Sequence, residues 1–281
     1  MTSPQGVTGS TMPRRQLGRH LRDLRNRARM TTRTAASQLE WSEAKIWRIE
    51  TGQTSLRSLD VEAMCKVYGA PSDLVERLGA LARETKARGW WTSYTDVISE
   101  GFEVYIGLEE AATQVSIYED GLVPALLRTD DYTRALLERT HPQLTEAEVE
   151  RRLHVGRSRQ ALLTRAGSPL RVHAVLAETV LGRHIGDARV TAGQRARLRE
   201  LTELENVRVQ VLPTSSGYHA GLESGRFAIL DFGVDGSVDR PEPPVVYTET
   251  LTGGTYLDKA AEHERYRAAF TDVSALADEL D

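Results

Sequence analysis

The feature that most constrains this chain is the register of one run, residues 31–52, in which two short helical patterns meet at a tight turn. Thr31 and Thr32 are N-cap candidates for a first helix that runs through Leu39. Ser42 caps a second, in which Ile46 and Ile49 fall on one face and Gly52 supplies the stop. Two helices can cross at short range only if a small residue sits at the contact, and Ala36 sits there. Leu39, Trp41, Ile46 and Ile49 supply the apolar lock. The outward face of the second helix is then left without an internal task.

The flanking sequence extends this pair into a compact all-helical domain. Leu17, Leu21 and Leu24 recur at helical spacing and outline a helix ending near Arg29. Leu59, Ala63 and Val67 outline a fourth helix. Pro71-Ser72-Asp73 opens a fifth, ending near Arg88, with Leu74, Leu78 and Leu81 on its apolar side. Residues 1–13, rich in Thr, Ser, Gly and Pro, read as a disordered tail, so the helical domain is expected over 14–88.

Charge separates the chain into two parts. Residues 1–90 carry 16 Lys+Arg against 9 Asp+Glu, whereas 91–281 carry 20 against 31. Arg14, Arg15, Arg19, Arg22, Arg25, Arg27, Arg29 and Arg33 crowd into twenty positions. This asymmetry fits either a polyanion-facing module or a solvated helix face.

Run 31–52, with its terminal Arg48-Ile-Glu-Thr-Gly52, resembles the XRE/Cro-repressor class of helix-turn-helix domains. The resemblance implies that the second helix enters the major groove of double-stranded DNA. Base-edge contacts then fall to Glu43, Ala44, Lys45 and Arg48, with Lys45 or Arg48 donating to guanine and Glu43 accepting from cytosine. Glu43 equally suits a helix N-terminus, and Arg48 equally suits an ion pair. Phosphate contacts are expected from Thr32, Arg33, Ser42 and Arg57. Trp47 stands where a small polar residue is common and is expected to pack on the fourth helix rather than lie against a sugar–phosphate edge. Glu40 stands at the turn position that usually carries Gly, because that position favours positive φ. A homodimer reading two half-sites about 34 Å apart follows from the class.

Beyond Gly89-Trp90-Trp91 the pattern turns mixed. Strands are expected at 113–118, 170–175, 207–212, 226–232 and 245–250. Helices are expected at 129–139, from the capping box Thr145–Glu148 to 164, at 178–184, at 191–204 and at 257–280. The fold class is thus multidomain: an all-α five-helix domain followed by a mixed α/β domain over 89–281. Trp90-Trp91, Tyr105-Ile-Gly-Leu-Glu109, Tyr118-Glu-Asp-Gly-Leu-Val-Pro124, Arg157-Ser-Arg-Gln160, Glu178-Thr-Val-Leu181, Val209-Gln-Val-Leu-Pro213 and Phe227-Ala-Ile-Leu230 look like actinobacterial regulators that join an XRE domain to a DUF5753 domain. The chain departs from that pattern at Ala125, usually Gly, and at Arg128, commonly Gln. The resemblance, which extends to WhiJ-like and Scr1-type antitoxin-like regulators, implies a transcription factor with a small DUF397-type protein partner or an unknown small-molecule effector.

No metalloprotease spacing, nucleophile elbow, phosphate-binding loop or dinucleotide fingerprint occurs, so no enzyme, cofactor or metal is expected. The lone cysteine, Cys65, and the absence of a membrane-length apolar run suit a cytoplasmic protein. His173, in an expected strand near Glu178, reads as a structural histidine. Tyr218 and His219 lie in a loop after a strand end, either rimming an effector or partner site or forming a Gly-assisted surface turn.

Overall fold

The computed structural model describes residues 11–99, 101–233 and 242–280. The described chain divides into two compact units. One holds residues 11–93 together with Ile106–Ala111, and the other holds Tyr94–Tyr105 with residues 112–280.

The first unit is built from α1 (Thr11–Arg27), α2 (Thr32–Leu39), α3 (Glu43–Glu50), α4 (Ser58–Tyr68) and α5 (Ser72–Glu84). Thr31 is the N-cap of α2, its Oγ1 accepting from the Thr34 N–H, and Ser42 caps α3 by accepting from the Lys45 N–H. The apolar side chains expected from the spacing do the packing: Leu17, Leu21, Leu24, Ala36, Ile46, Ile49 and Leu78 are buried with Val61, Met64, Cys65 and Tyr68. Two expectations change. Helix α1 already begins at Thr11, within the stretch read as tail, and Thr11 is buried; residues 1–10 of that stretch lie outside the described residues. Leu59 is 74% exposed, because α4 presents Val61, Met64, Cys65 and Tyr68 to the core. The 59–63–67 spacing selects the neighbouring stripe of the same helix. Residues up to Ser93 join this unit through the turn Trp90–Tyr94, where Trp90 Nε1 donates to Glu110 Oε2 at 3.0 Å.

Helix α6 (Phe102–Ala111), absent from the sequence reading, spans the division between the units. Residues 105–109 are buried in succession, Glu109 among them, so the helix carries little of the one-sided periodicity that marks a surface helix.

The second unit is a seven-stranded mixed sheet: β1 (Gln114–Glu119), β2 (Arg171–Ala177), β3 (Val207–Leu212), β4 (Phe227–Asp231), β5 (Val245–Thr250), β6 (Gly253–Leu257) and β7 (Asp278–Glu279), in the spatial order β6-β5-β4-β1-β2-β3-β7. β1, β2 and β3 run parallel and the remaining pairs antiparallel. The parallel pairs need crossovers, which α7 (Asp130–Thr140), α8 (Glu146–Gln160), α9 (Glu178–Gly182) and α10 (Ala188–Thr202) provide. Thr129 and the Thr145–Glu148 box cap α7 and α8. After β3 comes the four-residue α11 (Gly221–Ser224), and the last helix, α12 (Ala260–Ala275), lays Phe270 and Val273 on a sheet face formed by Tyr118, Val175, Leu212, Phe227, Ile229 and Val246. The expected helix over 257–280 is therefore trimmed at both ends: Leu257 ends β6, and Asp278–Glu279 pairs with β3 as an edge strand. Most of the stretch between the strands expected at 226–232 and 245–250 lies outside the described residues.

Candidate nucleic-acid interface

The α2–α3 pair is shaped by three local constraints. The turn residue Glu40 has φ 56°, the left-handed conformation its position calls for, and its N–H closes back onto Ser37 O while Trp41 N–H reaches Ala36 O. Gly52, with φ +73°, ends the motif where a Cβ would lie 2.9 Å from the Arg15 backbone. Gly18 lets α1 press against the end of α3: a Cβ there would stand 2.4 Å from Ile49 O.

A fourth constraint was not anticipated. Arg25 on α1 donates through Nε to Glu50 Oε1 at 2.6 Å and through Nη2 to Oε2 at 2.7 Å, while Nη1 reaches Met30 O at 2.8 Å. The pair is buried and bidentate, and Glu50 holds the guanidinium more basic than usual through its hydrogen bond. It fixes the C-terminal end of α3 against α1. The signal was available in sequence only as an arginine close to the leucine stripe of helix one and an acid in the Arg48–Gly52 run. Spacing alone does not pair residues 25 apart.

This pairing also revises the basic cluster. Arg25 turns inward, and Arg14 donates through Nε to Thr85 O at 3.0 Å, with burial lowering its pKa. Arg27, Arg29 and Arg33 are exposed, as is Arg57 beyond α3. The outward charge is therefore concentrated at the end of α1, the start of α2 and the segment after α3.

Of the four residues expected to reach bases, Glu43, Ala44 and Arg48 are exposed on α3. Among the described residues Arg48 makes no ion pair; its Nε lies 3.4 Å from Ala44 O on its own helix. Lys45 is engaged internally, its Nζ 3.3 Å from the Trp41 ring centroid and 3.9 Å from Asp60 Oδ1. Trp47 departs from the expected packing on α4: it is 55% exposed. Thr32 is half-buried and Arg33 exposed at the start of α2, where the first N–H groups of a helix have no intrahelical acceptor. Ser42 uses its hydroxyl oxygen as the α3 cap and stays exposed.

In the second unit the two weakly marked residues diverge. Tyr218 is 71% exposed and donates to Glu223 Oε1 at 2.8 Å, whereas His219 is buried with its ring 6.1 Å from that of Tyr118. They do not converge on one surface. His173 is half-buried on β2, with Nε2 2.8 Å from Gln210 Oε1 and its ring edge-on to Phe270. Among the described residues, no group of three or more His, Cys, Asp or Glu side chains is placed to hold a metal ion, and no helix is long and apolar enough to cross a membrane.

Two family models match the chain. A helix-turn-helix domain covers residues 16–78, and the domain of unknown function DUF5753 covers 102–281. Comparison with curated proteins and with solved structures returned no match. The first unit is thus a DNA-binding helix-turn-helix domain of a regulator. The second match spans more than half of the sequence, and the chain belongs to the DUF5753 family.

Proposed function

We propose that the protein is a sequence-specific transcriptional regulator that reads a two-fold symmetric operator as a homodimer, while its C-terminal unit binds a small protein partner or an effector. The observation that carries this reading is the arrangement of α3. Ile46, Ile49 and Glu50 are buried against the domain, and Ala44 and Arg48 are left exposed on a helix whose axis is fixed by the Arg25–Glu50 pair. Arg48 supplies a bidentate donor for guanine O6 and N7, and Glu43 an acceptor for cytosine N4. Arg33, Arg57, Thr32 and Ser42 supply phosphate contacts around it. Lys45 joins the base-reading set only by leaving Trp41 and Asp60, at the expense of those contacts.

For the second unit, the acidic balance of residues 91–281 keeps it off a polyanion and suits a basic protein surface. In this reading the unit regulates and does not catalyse.

The test begins with fluorescence anisotropy of the full-length protein on duplexes enriched from a random-sequence library. Arg48→Ala should cost about 1–3 kcal/mol and relax specificity at one position, whereas Arg33→Ala should weaken all sequences alike and flatten the salt dependence. Failure to enrich any sequence, or unchanged affinity in Arg48→Ala, overturns the assignment. Sedimentation of the complex gives its stoichiometry, for which two protomers per operator are expected.

A further inference from the structure

Trp47 is the feature of α3 that the helix-turn-helix assignment leaves without a task. A single exposed apolar side chain needs no explanation by itself, but the place of this one does. At 100° per residue, Trp47 and Arg48 lie about 60° and about 40° to either side of Ala44. All three are exposed, on the side of α3 turned away from buried Ile46 and Ile49. Among the described residues the Trp47 indole makes no hydrogen bond; only its carbonyl oxygen is engaged beyond α3, accepting from Thr51 Oγ1 at 2.8 Å and from the Thr51 N–H at 3.0 Å. With Lys45 folded onto Trp41 and Asp60, the exposed reading surface runs from cationic Arg48 through an apolar centre, Ala44 with Trp47, to the acid Glu43 at its far edge. Ala44, bearing only a methyl group, sits at the middle of that surface and lets the helix come close to the groove floor.

The floor of the major groove offers a single kind of apolar group, the C5 methyl of thymine. Resting on the DNA reading proposed above, the geometry points to Trp47 as a specificity-determining residue that recognises a thymine methyl next to the guanine taken by Arg48. The indole covers the methyl, and the guanidinium holds the neighbouring purine edge. Such a contact discriminates thymine from cytosine and from uracil. The comparison with uracil isolates the methyl, because the two bases present the same hydrogen-bonding groups.

The experiment uses the full-length protein and the duplex it enriches from a random-sequence library. Each thymine in the half-site is replaced in turn by uracil. One replacement should weaken wild-type binding about fourfold, the value of one buried methyl-sized group. Trp47→Ala should bind the thymine and uracil duplexes equally, and Trp47→Phe should keep part of the difference. Because the side chain is exposed, both variants should keep the wild-type urea midpoint. An enriched duplex with no thymine in the half-site, or one on which no uracil replacement changes wild-type affinity, overturns the assignment of Trp47 and leaves DNA reading intact. Discrimination that persists in Trp47→Ala also overturns it, since another group then reads the methyl. If the wild type enriches no sequence, the DNA reading falls and this inference falls with it.

Discussion

Glu50→Ala is the substitution that most directly tests how α3 is held. It removes both acceptors of a buried guanidinium, at 2.6 and 2.7 Å, and leaves Arg25 with the Met30 carbonyl alone. Stranding one member of a buried, hydrogen-bonded pair costs about 3–5 kcal/mol, because the remaining charge keeps its desolvation penalty. That is a large fraction of the roughly 5–15 kcal/mol that stabilises a typical domain. All four tryptophans, at 41, 47, 90 and 91, belong to the first unit, so tryptophan fluorescence in urea follows this unit within the full-length protein. With an m-value on the order of 1.5 kcal/mol/M, the midpoint should fall by roughly 2–3 M. The double variant Arg25→Met with Glu50→Leu removes both charges and should recover most of the loss, since an apolar pair of similar volume does not carry the desolvation cost. A Glu50→Ala midpoint within 0.5 M of wild type (about 0.75 kcal/mol), or a double variant no more stable than Glu50→Ala, would refute the reasoning.

The other expectations rest on backbone geometry and on one half-buried acid. Gly18→Ala should cost about 1–3 kcal/mol and so lower the same urea midpoint by roughly 0.7–2 M, against the gain of up to ~1 kcal/mol that Gly→Ala gives in an open helix, because its Cβ would lie 2.4 Å from Ile49 O. Glu40→Gly should stabilise by about 1 kcal/mol, raising the midpoint by roughly 0.7 M, by relieving a left-handed φ of 56°, and no gain would show that the turn is unstrained. In the second unit, burial pushes the Glu119 carboxyl up to about 7 and leaves its Oε2 without a hydrogen-bond partner. The folded state therefore binds this proton more tightly than the unfolded chain. Stability associated with the group is present below its ordinary pKa and is lost as pH rises through about 7. Glu119→Gln should flatten the stability profile of this unit between pH 4.5 and 8 (measured by circular dichroism in urea) and raise it at pH 8; an unchanged profile would show that the carboxyl is solvated.

Much of the first unit was legible because its signals are local. Thr31 and Ser42 sit one residue before their helices, and their hydroxyls reach N–H groups three residues on, so composition and spacing suffice to place both caps. Glu40 stands out through the resemblance to the helix-turn-helix class, which usually has Gly at that turn position, and its φ is indeed positive at 56°. The capping box of α8 was equally plain. Helix α6 and strand β6 were missed for different reasons: α6 buries five successive residues, 105–109, and so marks no single stripe, and β6, Gly253–Leu257, sits at a sheet edge with little apolar alternation. The 59–63–67 stripe of α4 failed because adjacent stripes of one helix can both look apolar, and only the neighbours decide which is buried.

The candidate interface divides along the same line. Sequence alone determined that a helix-turn-helix stands at 31–52, where α3 begins, and which of its side chains belong to the outward face, since these follow from a periodicity of 3.6 residues and from caps a few atoms away. Tertiary structure decided which charges are free to act. Arg25 leaves the basic cluster for Glu50 of α3, Lys45 is drawn toward Asp60 of α4 as it settles over Trp41, and Trp47 remains in solvent, outcomes that depend on how the helices pack. A charge in the sequence counts toward a surface only after folding has determined whether an opposite charge or an aromatic ring lies within a few ångströms of it.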